Sequence, residues 1–150
     1  MKLTIELIPK SMFYSNVRSN MSKDEWDVLR RATYQKAGYV CEICGGKGPD
    51  HPVECHEIWE FIIISGRGDK EPNIQRLVRL IALCPLCHQV KHIGLAQMRG
   101  NLDICMTHLK KVNEWNEEQA SEYVAKCFAV WRMRSKLKWK LDLSVLKKGA

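Results

Sequence analysis

Hydrophobic positions along the chain recur at strand-like and helix-like spacings that divide it into elements. Residues 53–64 are rich in β-branched and aromatic side chains and predict one or two strands, and residues 78–83 predict another. A helix is expected to begin at Ser22, because Ser22-x-x-Glu25 forms a capping box and apolar residues follow at helical spacing. Gly38 is placed to end that helix.

The remaining elements are predicted from turn residues and caps as much as from periodicity. Residues 3–8 predict a short strand that Pro9 ends, and Pro85 suits the first turn of a helix that reaches about residue 98. Two more helices are expected over residues 102–112 and 117–136, the second with Asn116-x-x-Gln119 as its cap, and a closing strand over 141–146. The predicted fold class is α+β, with an N-terminal strand and helix (1–40), a central unit (41–98) and a C-terminal helical extension with a basic tail (99–150).

The composition indicates a folded protein outside the membrane. The chain of 150 residues is 45% hydrophobic and 27% charged, which supplies enough apolar side chains for a core. No apolar run approaches the roughly 20 residues needed to cross a bilayer. The first residues lack the apolar stretch and cleavage site of a signal peptide. We therefore expect a cytoplasmic protein with no membrane partner.

The positive charge is concentrated near the C-terminal end. The formal net charge is +7, and residues 131–150 contain seven Lys or Arg residues against Asp142 alone. Such a segment attracts polyanions, with nucleic acid as the usual candidate. A solvated basic tail that only aids solubility is the plainer interpretation, and charge alone does not separate the two.

Two closely spaced cysteine pairs predict a structural zinc site. In a reducing compartment, paired cysteines indicate metal rather than disulfides. Cys41-x2-Cys44 and Cys84-x2-Cys87 each place two thiols on one tight turn, and together they supply the four thiolates of a closed zinc site. Four buried cysteines at chance spacings are the alternative, which the occurrence of two such pairs disfavours. The other three are expected to be small buried residues: Cys55, Cys105 and Cys127.

Histidines between and just after the cysteine pairs predict a second, open metal site. His56-Glu57 lies within a predicted strand, and His88 and His92 stand four residues apart on a predicted helix, where they share one face. A lone histidine is more often a structural residue. Here the cysteine site ties the strand to the helix, so the three imidazoles are expected to approach one ion.

These motifs together resemble the HNH (His-Me finger) endonuclease family in its form with two zinc knuckles. The matching segments are CEICGG at 41–46, VECHEI at 53–58 and LCPLCHQVKH at 83–92. The resemblance covers residues 41–93, and its last segment is the most specific part.

The resemblance implies a ββα-metal unit that cleaves DNA phosphodiester bonds with a divalent cation and a base-activated water. It implies catalytic roles for His56, Glu57 and His88, and it implies a cation held by the same residues with His92. Mixed imidazole and carboxylate ligation leaves Mg²⁺, Mn²⁺, Ni²⁺ and Zn²⁺ open. Seven cations are candidates to contact the nucleic acid, with a simple solvent-facing charge as the alternative for each: Arg67, Arg79, Lys91, Arg132, Arg134, Lys138 and Lys140.

The sequence departs from the family pattern at two positions. The family places Asn nine residues before the helical His, where this chain has Arg79, with Asn73 and Gln75 nearby. Strict alignment puts His56 at the metal-ligand position and Glu57 at the base position. Chemistry favours the opposite, because an imidazole with a pKa near roughly 6.5 is the better matched base at neutral pH. We lean to His56 as the base, with Glu57 beside the metal.

Two other function classes remain open. A zinc-stabilised module that binds DNA or RNA without cutting it is favoured by the missing family Asn and disfavoured by the three histidines. A CxxC redox protein is weaker, because no thioredoxin-like βαβ pattern surrounds either cysteine pair.

Overall fold

The computed structural model describes residues 1–64 and 71–148, and it has an α+β fold. In these ranges a three-stranded sheet is combined with helices at both ends of the chain. The elements are α1 (Lys23–Lys36), β1 (Glu54–Ile62), β2 (Asn73–Leu83), α2 (Pro85–Lys91), α3 (Ile93–Met98), α4 (Leu102–Asn113), α5 (Glu117–Arg134), β3 (Trp139–Asp142) and α6 (Val145–Lys148). None of the described helices is both long enough and apolar enough to span a bilayer.

Both predicted capping boxes form. The Ser22 hydroxyl accepts from the Glu25 backbone N–H while the Glu25 carboxylate accepts from the Ser22 N–H, so α1 begins where expected. Asn116 and Gln119 make the same reciprocal bonds at the start of α5. The chain leaves α1 through Gly38, whose φ of 67° lies in the left-handed region that glycine adopts without a side-chain clash.

The sheet has the order β1-β2-β3, with β1 antiparallel to β2 and β3 parallel to β2. His56 lies opposite Ile81 and Glu57 lies opposite Leu80, and the register shifts at Ile58/Trp59. Because alternate residues of a strand face opposite sides, His56 and Glu57 project from different faces of the sheet.

Each face of the sheet has its own apolar cluster. The larger cluster joins Ile81 and Leu83 to α2, α4 and α5, and it includes Leu3 and Ile5 from the N-terminal segment. The smaller cluster lies on the other face and consists of Val17, Trp26, Trp59 and Leu77, with α1 covering it.

Four predicted elements differ from the structure, and the first is β2, which begins at Asn73 rather than at about residue 78. Residues 3–8 form no strand, because side chains of α4 and α5 bind their backbone: Asn113 Oδ1 accepts from the Leu3 N–H, and the Tyr123 hydroxyl accepts from the Ile5 N–H. The helix expected over 85–98 is divided at His92 (φ −106°, ψ 44°) into α2 and α3. The closing strand lies earlier than expected, at Trp139–Asp142, and α6 follows it.

Candidate metal centres

The two cysteine pairs come together in one cluster that could hold a metal ion such as zinc. The sulfurs of Cys41, Cys44, Cys84 and Cys87 all lie within 4.8 Å of one another. The Cys44 and Cys84 sulfurs are 3.6 Å apart, which is close to the roughly 3.8 Å expected between thiolates bound to tetrahedral zinc at about 2.3 Å. All four are free cysteines. The donor set therefore fits a closed, structural site.

Backbone N–H groups point at the sulfurs and prepare them to carry negative charge. The Cys44 N–H donates to Cys41 Sγ (3.5 Å), and the Cys87 N–H donates to Cys84 Sγ (3.4 Å). A hydrogen bond with the Cys87 thiol lowers the pKa of Cys41 to about 4 and raises that of Cys87.

His108 on α4 is a neighbour of the cysteine cluster that the sequence did not single out. Its Nε2 lies 3.1 Å from Cys87 Sγ. Burial lowers the pKa of His108, so the imidazole is neutral near pH 7 and has one N–H to donate. The contact joins α4 to the cysteine cluster. Its two residues are 21 positions apart in sequence, so no local motif predicts it.

Three histidines form a second cluster. His56 projects from β1, His88 from α2 and His92 from the break between α2 and α3, and their ligand nitrogens lie within 4.8 Å of one another. The ring centroids are 4.9–5.2 Å apart and the rings meet edge to face. The spacing of His88 and His92 places both on one side of the helix, as predicted, and β1 brings His56 to them.

The surroundings of this cluster keep His56 and His92 uncharged. Burial, with smaller contributions from neighbouring histidines and Lys91, lowers the pKa of His56 to about 2 and that of His92 to about 4. His56 is only 7% exposed. A neutral imidazole presents one nitrogen lone pair, so His56 and His92 can each offer a neutral donor to a cation.

Glu54, another residue that the sequence analysis did not single out, fixes the orientation of His88. One of its carboxylate oxygens lies 2.9 Å from His88 Nδ1 and the other lies 2.7 Å from His51 Nε2. Burial alone would raise the pKa of Glu54, but these two histidines outweigh it and the net shift is downward. With Nδ1 of His88 held by a carboxylate, Nε2 is the nitrogen left free to bind a metal.

Glu57, expected to share the cation with His56, is not among the converging ligands. It lies on the opposite face of β1, where one of its carboxylate oxygens accepts from the Val17 N–H at 3.1 Å. Burial raises its pKa, and the bond from Val17 offsets only part of that shift. Because successive side chains of a strand point to opposite faces, His56 and Glu57 are adjacent in sequence but do not face the same ion.

Of the cations expected to contact nucleic acid, some are paired or packed within the protein and others are exposed. Arg79 pairs with Glu42 (3.2 Å), and Lys91 is 3% exposed because its ammonium donates to Glu6 and Thr4. Arg134 lies over the Phe61 ring, 4.3 Å from its centroid. Arg132, Lys138 and Lys140 are exposed, and Arg67 lies outside the described residues.

A cavity of about 900 Å³ borders the histidine cluster. The residues that line it include His56, His88 and His92, and residues of the N-terminal segment and of the end of α5. Glu57, Trp59 and Gln75 also line it. Among the described residues, Gln75 is 0% exposed and both of its amide atoms lack a hydrogen-bond partner.

Comparison with known proteins adds no assignment, because no protein-family model matches the chain and no curated protein or solved structure matches it either.

Proposed function

We propose that this protein is a metal-dependent endonuclease that hydrolyses DNA phosphodiester bonds, with the architecture of an HNH, or ββα-metal, finger. The observation that carries the proposal is the convergence of His56, His88 and His92, from separate elements, at the wall of one cavity. The order of elements supports it, because the antiparallel β1 and β2 lead directly into α2 and the cysteine cluster joins the turn at residues 41–44, which precedes β1, to the start of that helix.

The three imidazoles are the residues that would hold a divalent cation. A cation held by three protein ligands would have coordination positions available for water and for a phosphate oxygen. Such a cation supplies stabilisation of the charge that develops on the phosphate and on the leaving oxygen. Glu54 holds the His88 ring in place, and the cysteine cluster fixes α2 against β1.

In this proposal His56 is a ligand, which leaves Glu57 as the candidate base. A histidine whose lone pair is committed to a cation cannot accept a proton from water. Glu57 borders the same cavity from the opposite face of β1, and burial raises its pKa above the ordinary carboxyl value, which makes the carboxylate a stronger base. This assignment follows the strict alignment and reverses the preference for His56 drawn from intrinsic pKa.

The test is plasmid nicking, combined with a separate measurement of Mn²⁺ binding by calorimetry on zinc-loaded protein. We expect His56→Ala and His88→Ala to lose both Mn²⁺ binding and cleavage. Glu57→Gln should keep Mn²⁺ binding and lose at least about 100-fold in cleavage rate, the lower end for removal of a general base. A His56→Ala protein that binds Mn²⁺ normally but does not cut would return the base role to His56.

A module that binds nucleic acid without cutting it is the second candidate. Arg79 favours it, since this position, which carries Asn in the family, is occupied here by a cation paired with Glu42. DNA binding without cleavage under Mg²⁺, Mn²⁺, Ni²⁺ or Zn²⁺ would replace the nuclease proposal with this one. The exposed Arg132, Lys138 and Lys140 could serve either function.

A further inference from the structure

An exposed pair of aromatic side chains lies at the edge of the histidine-lined cavity, on a segment that we call the aromatic turn (residues 9–17). Tyr14 is 91% exposed and Phe13 is 50% exposed, and both border the cavity. Side chains of this kind are usually buried, and exposed apolar area beside a cavity is a mark of a binding surface.

The backbone of the aromatic turn is fixed, so the two rings are held out rather than left loose. The Met12 N–H donates to the Pro9 carbonyl (2.8 Å), and the Ser15 N–H donates to the Met12 carbonyl (3.1 Å). The Lys10 N–H donates to the Ser135 hydroxyl. Met12 is 7% exposed and fills the space beneath. Rings presented on a rigid backbone lose little conformational freedom when they bind.

The charges around the aromatic turn suit a polyanion. Lys10 and Arg18 border the cavity, both are exposed, and neither forms an ion pair with any residue in 1–64 or 71–148. Of the described cavity-lining residues, Glu57 alone is acidic. Unpaired cations beside exposed aromatic rings are the combination that single-stranded nucleic acid uses, with phosphates near the cations and bases on the rings.

The cavity wall also contains a polar group that lacks a partner. The Gln75 amide is fully buried, and neither its nitrogen nor its oxygen has a hydrogen-bond partner among the described residues. A buried amide left unpaired costs about 1–3 kcal/mol, so such groups are normally satisfied by water or by a ligand. An amide can donate to and accept from the edge of a base at the same time.

We infer that the aromatic turn binds an unpaired base, so that the substrate class is DNA with single-stranded nucleotides next to the cleaved phosphate. In a duplex both faces of each internal base are covered by its neighbours, and only an unstacked base can lie on Phe13 or Tyr14. This inference rests on the proposed function, because it places the strand beside the histidine cluster. It goes further in excluding plain duplex as the preferred substrate.

The experiment measures binding, without catalysis, by fluorescence anisotropy of a labelled dT oligonucleotide and of a hairpin duplex of equal charge. Zinc-loaded protein is used with no added divalent cation. We expect the double variant Phe13→Ala/Tyr14→Ala to lose about tenfold or more in affinity for the dT strand, the scale of one stacked base, and less than about twofold for the duplex. Tyr14→Trp should retain the affinity, because it keeps a flat ring.

The matched control is Val28→Ala, which shortens an exposed apolar side chain on α1 away from the cavity and should leave both affinities unchanged. Equal losses on strand and duplex, or no loss on the strand, would overturn the inference. Circular dichroism of the double variant excludes unfolding as the cause. Binding is measured apart from cleavage, which the plasmid nicking assay reports. Selective binding by a protein that cuts nothing would refute the nuclease proposal alone, and cleavage without this selectivity would refute the aromatic turn's role alone.

Discussion

At the scale of single residues, Glu54 connects the histidine cluster to its surroundings. Its carboxylate binds His88 on one side and His51 on the other. A carboxylate behind a ligand histidine fixes the ring and its tautomer, and this matters more when few other groups constrain the ring. The His88 side chain is 23% exposed, so protein packing constrains only part of the ring.

Glu54→Gln should weaken the affinity for a divalent cation by about 10- to 100-fold, the usual effect of removing such a partner. The amide no longer provides the negative charge that holds His88 Nδ1–H. The measurement is Mn²⁺ calorimetry together with the zinc content of the same sample, which should not change.

The control for Glu54→Gln is Glu60→Gln, which changes an exposed carboxylate on the same strand that faces Arg76 (3.9 Å). If the two variants bind Mn²⁺ equally well, Glu54 does not position His88.

His108 should slow the loss of metal from the cysteine cluster. With zinc bound, Cys87 is a thiolate to which the nearby Nε2 of His108 can donate, so His108→Ala should release zinc about tenfold faster to a colorimetric chelator, at the lower end of outer-shell effects. Thr107→Ala, next to it on α4 and exposed, is the matched control. Unchanged release from His108→Ala would show that the contact has no effect on the metal.

The residues that the sequence identified are those whose spacing is local. Two CxxC pairs and a His-x3-His each encode their own geometry, so both clusters could be expected from the sequence. Glu54 and His108 could not be, because their partners are 34 and 21 residues away and depend on how β1 and α4 pack on α2. Glu57 failed as a ligand for a simpler reason, since adjacent strand residues face opposite ways.

At the scale of elements, the loop between the first cysteine pair and β1 is in contact with the start of α2. A Cβ built on Gly48 would lie 2.3 Å from the His51 carbonyl oxygen and 2.7 Å from Pro85 Cδ. Nothing larger than glycine fits there without moving backbone. This packing complements the cysteine cluster in setting how the hairpin meets the helix.

Gly48→Ala should therefore lower the free energy of unfolding by about 1–3 kcal/mol, as for other overpacked sites. Gly94→Ala on α3 is the matched control. Its Cβ would meet only Phe128 at 3.9 Å, an ordinary contact, and alanine's helix propensity should raise stability by about 0.5–1 kcal/mol. Urea unfolding of both proteins tests the opposite signs, and two shifts in the same direction would contradict this account.

The elements with strong local signals were predicted well, and those fixed by distant contacts were not. Caps identified the starts of α1 and α5 because a capping box is complete within four residues. The break between α2 and α3 was not predicted, because His92 is neither a proline nor a glycine. Residues 3–8 have the alternating pattern of a strand, but their backbone N–H groups donate to the side chains of Asn113 and Tyr123 instead of to a neighbouring strand.

At the scale of the whole molecule, the burial of His92 makes the stability of the fold depend on pH. The pKa of His92 is about 4 in the folded protein, below its ordinary value of 6.5, because burial disfavours the charged ring. Between these values the unfolded chain binds a proton that the folded protein does not. The free energy of unfolding should therefore fall as the pH falls from about 6.5 toward about 4.

Urea unfolding between about pH 7.5 and about pH 5.5, with no divalent cation except the structural zinc, measures this slope. His92→Gln removes the titrating group and should show a shallower slope than the unmodified protein. Acid effects on the cysteine cluster are common to both proteins and cancel in the difference. Identical slopes would mean that His92 is not held neutral by the fold.

The binding of the first residues by α4 and α5 has a consequence for any attempt to excise a minimal fragment that carries both ligand clusters. A chain trimmed to the stretch from Cys41 to the end of α3 would retain each cysteine and histidine of the two clusters. It would lose Leu3, Leu109 and Val124, which fill the space behind α2, and the carboxylate that neutralises Lys91. Truncation would thus preserve the ligands while removing the support that keeps them aligned.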